Sequence, residues 1–146
     1  MRIDQAGHEH LEAWARLRTE LWPDDSIEHH RFELGRLRSD ENGIGFVAID
    51  AADHVVGFAE ATLRHDYVNG CDTSPVVFLE GIYVRRESRR QGVARALCQA
   101  VAAWERAAGC TEFASDALID NLESHAFHFA LGFVETKRVV YFHRSL

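Results

Sequence analysis

"VVFLEGIYV", Val76 to Val84, and "RRQGVARAL", Arg89 to Leu97, stand four residues apart and together decide how this chain is read. Eight of the nine residues in the first segment suit a strand buried on both faces. The exception is Glu80. A buried, unpaired carboxylate costs several kcal/mol or takes up a proton, so Glu80 escapes burial, has a partner, or meets one when a ligand arrives. The second segment turns from a strand into a helix. Gly92 lets the backbone approach a ligand without a Cβ in the way. The first amides of a helix lack intrahelical acceptors and carry the positive end of its dipole, which suits a pyrophosphate. Arg89 and Arg90 add charge at the rim. The pattern is neither a Walker loop nor G-x-G-x-x-G, which argues against a P-loop nucleotidase and a Rossmann dehydrogenase.

Working outward, Leu11, Trp14, Leu17 and Leu21 recur at helical spacing in "HEHLEAWARLRTELW", and Pro23 ends that helix. Ser26 caps a second helix running to Ser39, with Ile27, Leu34 and Leu37 inward. "GFVAID" and "VVGFAEATLR" read as a hairpin joined by "AADH". After the loop "HDYVNGCDTSP" comes the Val76–Val84 strand. The next helix shows Ala94, Leu97, Val101, Trp104 and Ala108 at three- and four-residue steps and stops at Gly109. "TEFASDA" reads as a strand, "NLESHAFHFAL" as a helix, and "GFVET" and "RVVYFHR" as two closing strands. The order β-α-α-β-β-β-α-β-α-β-β predicts one mixed α/β sheet with helices on both faces.

Length and composition bound the rest. The chain has 146 residues, enough for one domain, with 47% hydrophobic and 27% charged residues. A net charge of −7 argues against nucleic acid as the main partner and accommodates a cationic ligand. "MRIDQAGHEHLEAW" holds no apolar segment of signal-peptide length and no later stretch approaches a membrane span, so the expectation is a cytoplasmic protein with no membrane partner. Cys71, Cys98 and Cys110 are an odd set without C-x-x-C spacing and read as free thiols. The pairs His8/His10, His29/His30 and His125/His128 suggest a metal, but the first two lack a carboxylate or Cys at ligand spacing, so none is expected.

Arg89-x-x-Gly92-x-Ala94 resembles the acetyl-CoA signature of the GCN5-related N-acetyltransferase (GNAT) superfamily. "NLESHAFHFALGF" is similar to its second signature, and the element order matches along nearly the whole chain. More narrowly, "LRHDYVNGCDTSPVVFLEGIYV", "ASD" and "LGFVET" resemble the aminoglycoside 6′-N-acetyltransferases. The resemblance implies one GNAT domain over residues 1–146, with central parallel strands that splay to admit acetyl-CoA. It implies that the amides of Gln91, Gly92, Val93 and Ala94 cradle the pyrophosphate, with Arg89 and Arg90 at the rim. Ile82 and Val84 would offer backbone groups to the pantetheine arm, and Asn121 would contact its side. Where many members have a Tyr that protonates the departing thiolate, this chain has His128.

Strand alternation puts Glu80 on one face with Val76, Phe78, Ile82 and Val84; Gly81 beside it permits a bulge that re-aims the side chain. In a cleft, Glu80 would attract an ammonium and accept its proton; otherwise it is a structural carboxylate paired to an internal Arg or to backbone amides. Asp116, Asp66, Asp72 and Glu135 would complement a polycation, and Tyr67 would stack on a sugar. The function this implies is acetyl transfer from acetyl-CoA to the 6′-amine of an aminoglycoside. Two alternatives stand: acetylation of another small polycation, and a non-catalytic acetyl-CoA-binding regulatory module. The resemblance also implies a homodimer, for which Val139 to Phe142 offer an edge strand.

Overall fold

The computed structural model describes residues 1–146. Strand β1 (Arg2–Gln5) leads through a short 3-10 turn into helix α1 (Leu11–Leu21), then α2 (Ile27–Ser39), β2 (Gly43–Ile49), β3 (Val55–Arg64), β4 (Val76–Val84), α3 (Val93–Ala107), β5 (Phe113–Ser115) and α4 (Leu122–Ala130). The strands form one sheet in the order β1-β2-β3-β4-β5. All neighbours run antiparallel except β4 and β5, whose connection through α3 makes them parallel.

Local signals account for most boundaries. Ser26 accepts a hydrogen bond from the His29 amide and caps α2. Asn121 accepts from the Ser124 amide and caps α4. Gly109, at φ +83°, follows α3 and closes it. Two apolar layers sandwich the sheet. On one face Trp14, Ala15 and Leu17 of α1 and Leu34 of α2 pack on Val47, Ile49 and Phe58. On the other, Val93, Leu97, Cys98 and Val101 of α3 pack on Ala59, Ala61, Val77 and Leu79.

Two expectations need correction. Beyond α4 the chain forms neither of the closing strands read in "GFVET" and "RVVYFHR". Val139, Val140, Tyr141 and Phe142 of this arm stand exposed. β-propensity alone does not make a strand: without a neighbour to supply the ladder, the apolar alternation has nothing to pair with. Nor does Glu80 share a face with Ile82 and Val84. Glu60 pairs with Gly81 while Ala61 pairs with Leu79, so Glu80 is an extra residue on β4. This bulge inverts the alternation. Before it, Val77 and Leu79 face α3; after it, Ile82 and Val84 do.

Candidate active site

The site starts where β5 stops. β5 pairs with β4 through Val77–Phe113, Phe78–Ala114 and Leu79–Ser115, and then ends. From Glu80 onward β4 has β3 on one side and no strand on the other, so Gly81, Ile82, Tyr83 and Val84 line a gap between parallel strands. The bulge falls at the mouth of this gap and turns Glu80 out of the apolar layers. Its carboxylate accepts from Thr62 Oγ1 at 2.6 Å and from Arg64 Nη2 at 2.9 and 3.1 Å. The side chain stays 32% exposed. Glu80 thus both escapes burial and has a partner. That partner, Arg64, is itself 38% exposed, with its guanidinium 3.6 Å from the Phe78 ring centroid.

At the far end of the gap, Gly92 caps α3 in the left-handed region, φ +80°. A Cβ at Gly92 would meet nothing within 4 Å, so the space before the first amides of α3 is open. The first turn of α3 carries no acidic side chain. The first amides of α3 have no intrahelical acceptor and face this open space, an arrangement able to take an anion. Arg90, with φ +60°, and Gln91 are exposed at its edge. Arg89 Nε donates to the Val84 carbonyl at 2.8 Å and ties the turn to the end of β4. Val93 is buried beneath the turn and Ala94 half-buried.

Beside the gap lies a cleft of about 940 Å³ lined in part by Arg64, Tyr67, Ser115, Asp116, His128 and Glu135. His128 is held from two sides. Its Nδ1 lies 2.7 Å from the Ser124 carbonyl, which requires an N–H there, so Nε2 accepts from the Ser115 hydroxyl at 2.8 Å. Ser115 closes the last β4–β5 pair, which puts this couple at the point of splay. Tyr67 accepts from Lys137 at 3.0 Å, and Glu135 pairs with Arg138, which pulls its carboxyl below the usual range. Asp116 is exposed just past β5. Glu80, Asp66, Asp72, Asn121 and the Gly92 turn lie outside the cleft lining. The cleft therefore gathers some of the expected acids and leaves Asp66 and Asp72 in the exposed loop.

Residues 9–133 match the acetyltransferase (GNAT) family. The chain belongs to the GNAT acetyltransferase family. It is 48% identical to the aminoglycoside N(6′)-acetyltransferase type 1 of Serratia marcescens over 139 residues, covering 95% of both chains. With the Stenotrophomonas maltophilia protein of that name it shares 51% over 146 residues, 99% of this chain and 93% of the relative. The crystal structure of an aminoglycoside 6′-N-acetyltransferase from Acinetobacter haemolyticus superposes with a TM-score of 0.96 at 43% identity, covering 100% and 99% of the two chains. AAC(6′)-Iy in complex with the bisubstrate analogue CoA-S-monomethyl-acetylneamine gives a TM-score of 0.93 at 43% identity, covering 99% and 98%.

Several groups of this GNAT acetyltransferase were not singled out from sequence. Thr62 and Arg64 alternate on β3 and reach Glu80 only because β3 pairs with β4. Ser115 gained meaning from His128, thirteen positions away. Trp22 lies over Gly81: a Cβ there would sit 2.4 Å from its ring. The spacing of Thr62 and Arg64 was a usable signal once the hairpin register was assumed; nothing local marked the other two.

Proposed function

We propose that this chain, as one catalytic domain over residues 1–146, transfers an acetyl group from acetyl-CoA to the 6′-amino group of aminoglycosides and so confers resistance to them. One observation carries the reading: a carboxylate, Glu80, bulges out of a buried strand at the mouth of the parallel-strand gap and already holds a cation, the Arg64 guanidinium. That seat suits a substrate ammonium. Relatives of nearly the same length carry the aminoglycoside N(6′)-acetyltransferase name, which supports the substrate class.

Acetyl-CoA supplies the acetyl group as a thioester. The first amides of α3, with Arg90 at the rim, hold the pyrophosphate, and the unpaired edge at Ile82 to Val84 orients the arm, with Asn121 beside it. Glu80 takes the proton from the ammonium, directly or through water, and leaves a neutral amine to attack. The hydrogen-bonded Ser115–His128 couple takes the second proton from the attacking nitrogen and delivers one to the departing sulfur. Asp116, Glu135 and Tyr67 in the cleft, with Asp66 and Asp72 in the loop above, attract the remaining ammonium groups.

The enzyme works in the cytoplasm, a reading supported by three free thiols and by the cosubstrate. No helix is long and apolar enough to cross a membrane. It acts as a homodimer: β5 leaves an open edge on the sheet, and the exposed "VVYF" of the arm is suited to pair with that edge in a second copy. The test of function is CoA release from acetyl-CoA across aminoglycosides with and without a 6′-amine, spermidine, and no acceptor. Turnover confined to 6′-amines is expected. Turnover with spermidine alone, or with nothing, overturns the reading.

A further inference from the structure

A second carboxylate lies on the same face as Glu80 and has no place in the steps above. Glu60 is 3% exposed and stands opposite Gly81 in the β3–β4 register, at the bulge. Arg18 of α1 donates to both its oxygens at 3.0 Å, and Trp14 Nε1 donates at 2.9 Å. Arg18 also donates through Nε to His30 Nδ1 at 3.3 Å, and His30 Nε2 in turn donates to the Trp22 carbonyl at 3.1 Å. The guanidinium lies 4.8 Å from the Trp22 ring centroid, and His30 stacks on the same indole with an interplanar angle of 28°. That indole occupies the space a side chain on Gly81 would need. The chain of contacts therefore runs from a buried ion pair through Trp22 to the residue next to Glu80.

Stability does not explain such a cluster. Two charges in a protein interior forfeit solvation that their attraction often fails to return, and apolar replacements of similar volume are frequently neutral or stabilising. Burial pushes the Glu60 carboxyl up to about 7, more than Arg18, its main counterweight, pulls it down. What the cluster does provide is direction. A guanidinium fork bonded to a carboxylate and an imidazole has one arrangement, whereas apolar contacts allow several.

We propose that Arg18, Glu60 and His30 form a buried positioning network that holds Trp22 against Gly81 and thereby sets the aim of Glu80. The proposal rests on the reading of Glu80 as the proton acceptor for the amine. Its test uses the double variant Arg18→Met with Glu60→Gln, which removes both charges and keeps an acceptor for Trp14. Misplacing a reacting group by about 1 Å can cost 10²-fold. Turnover of neamine should therefore fall about 10- to 100-fold, with the KM for acetyl-CoA unchanged and the melting temperature equal or higher. Acrylamide quenching of indole emission should rise, and adding Trp22→Leu should abolish that rise. Unchanged quenching overturns the network whatever the activity; raised quenching with native neamine kinetics overturns its effect on Glu80. Should the double variant fail to fold, His30→Leu breaks the link to Trp22 and keeps the ion pair, and the same two readouts decide. Loss of neamine turnover by the native enzyme would sink the functional reading, while quenching would still judge the network.

Discussion

At Glu80, one carboxylate answers two demands. The bulge takes it out of the apolar layers of β4, and its oxygens pair with a cation, Arg64; as the proposed base it would receive the substrate ammonium there. Replacing Glu80 with Gln keeps shape and hydrogen bonding but removes the proton acceptor. A general base contributes about 10²- to 10⁴-fold, so turnover should drop by that order and its pH profile should change. Native turnover with an unaltered profile would mean that the amine loses its proton elsewhere. His128 makes a sharper case, because both ring nitrogens already have partners. His128→Phe should slow turnover and leave both substrate affinities nearly intact. Full turnover in single-turnover and steady-state assays would return His128 to packing.

Helix α3 works at both its ends. At its N-terminus the Gly92 turn is open to an anion, and Gly92→Val would place a branched side chain there. Val at φ +80° also carries strain of about 1–3 kcal/mol, so Gly92→Asn, which tolerates that backbone better, separates blockage from strain. Calorimetry should show acetyl-CoA affinity lost strongly in the Val variant and aminoglycoside affinity much less affected; unchanged acetyl-CoA affinity would dismiss the cradle. At the C-terminus Glu105 is buried with one carboxyl oxygen unpartnered. Burial pushes it up to about 8, offset in part by Arg106. The folded chain therefore keeps a proton that the unfolded chain loses near 4.5. Its contribution is whole below that value and is lost as pH rises through about 8. Glu105→Gln should flatten the fall in melting temperature between these limits; an identical slope would mean that Glu105 is ionised in the fold.

The arm after α4 matters at the scale of the whole molecule. Val140, Tyr141 and Phe142 are 77%, 81% and 92% exposed, an apolar run that water disfavours and that an open sheet edge can accept. Deleting residues 139–146 should convert the proposed dimer to a monomer in light scattering and lower the melting temperature. A dimer of unchanged mass after that deletion would place the interface on another surface.

Local chemistry settled much of this protein. Ser26, Asn121, Gly92 and Gly109 are read where they stand, because caps and left-handed turns depend on a residue and its immediate neighbours. The strand at Val55–Arg64 and the helix from Val93 follow from period, and the left-handed turn at Gly92 follows from the residue itself. Tertiary structure decided what depends on distant pairing. The bulge was suggested by Gly81, yet its effect on which residues face α3 is visible only in the β3–β4 register. Arg64 became the partner of Glu80, and Ser115 that of His128, through strand pairing and helix docking. The closing strands failed for the same reason: "RVVYFHR" has strand propensity, but a strand exists only with a neighbour, and sequence does not say whether that neighbour belongs to the same copy of the chain.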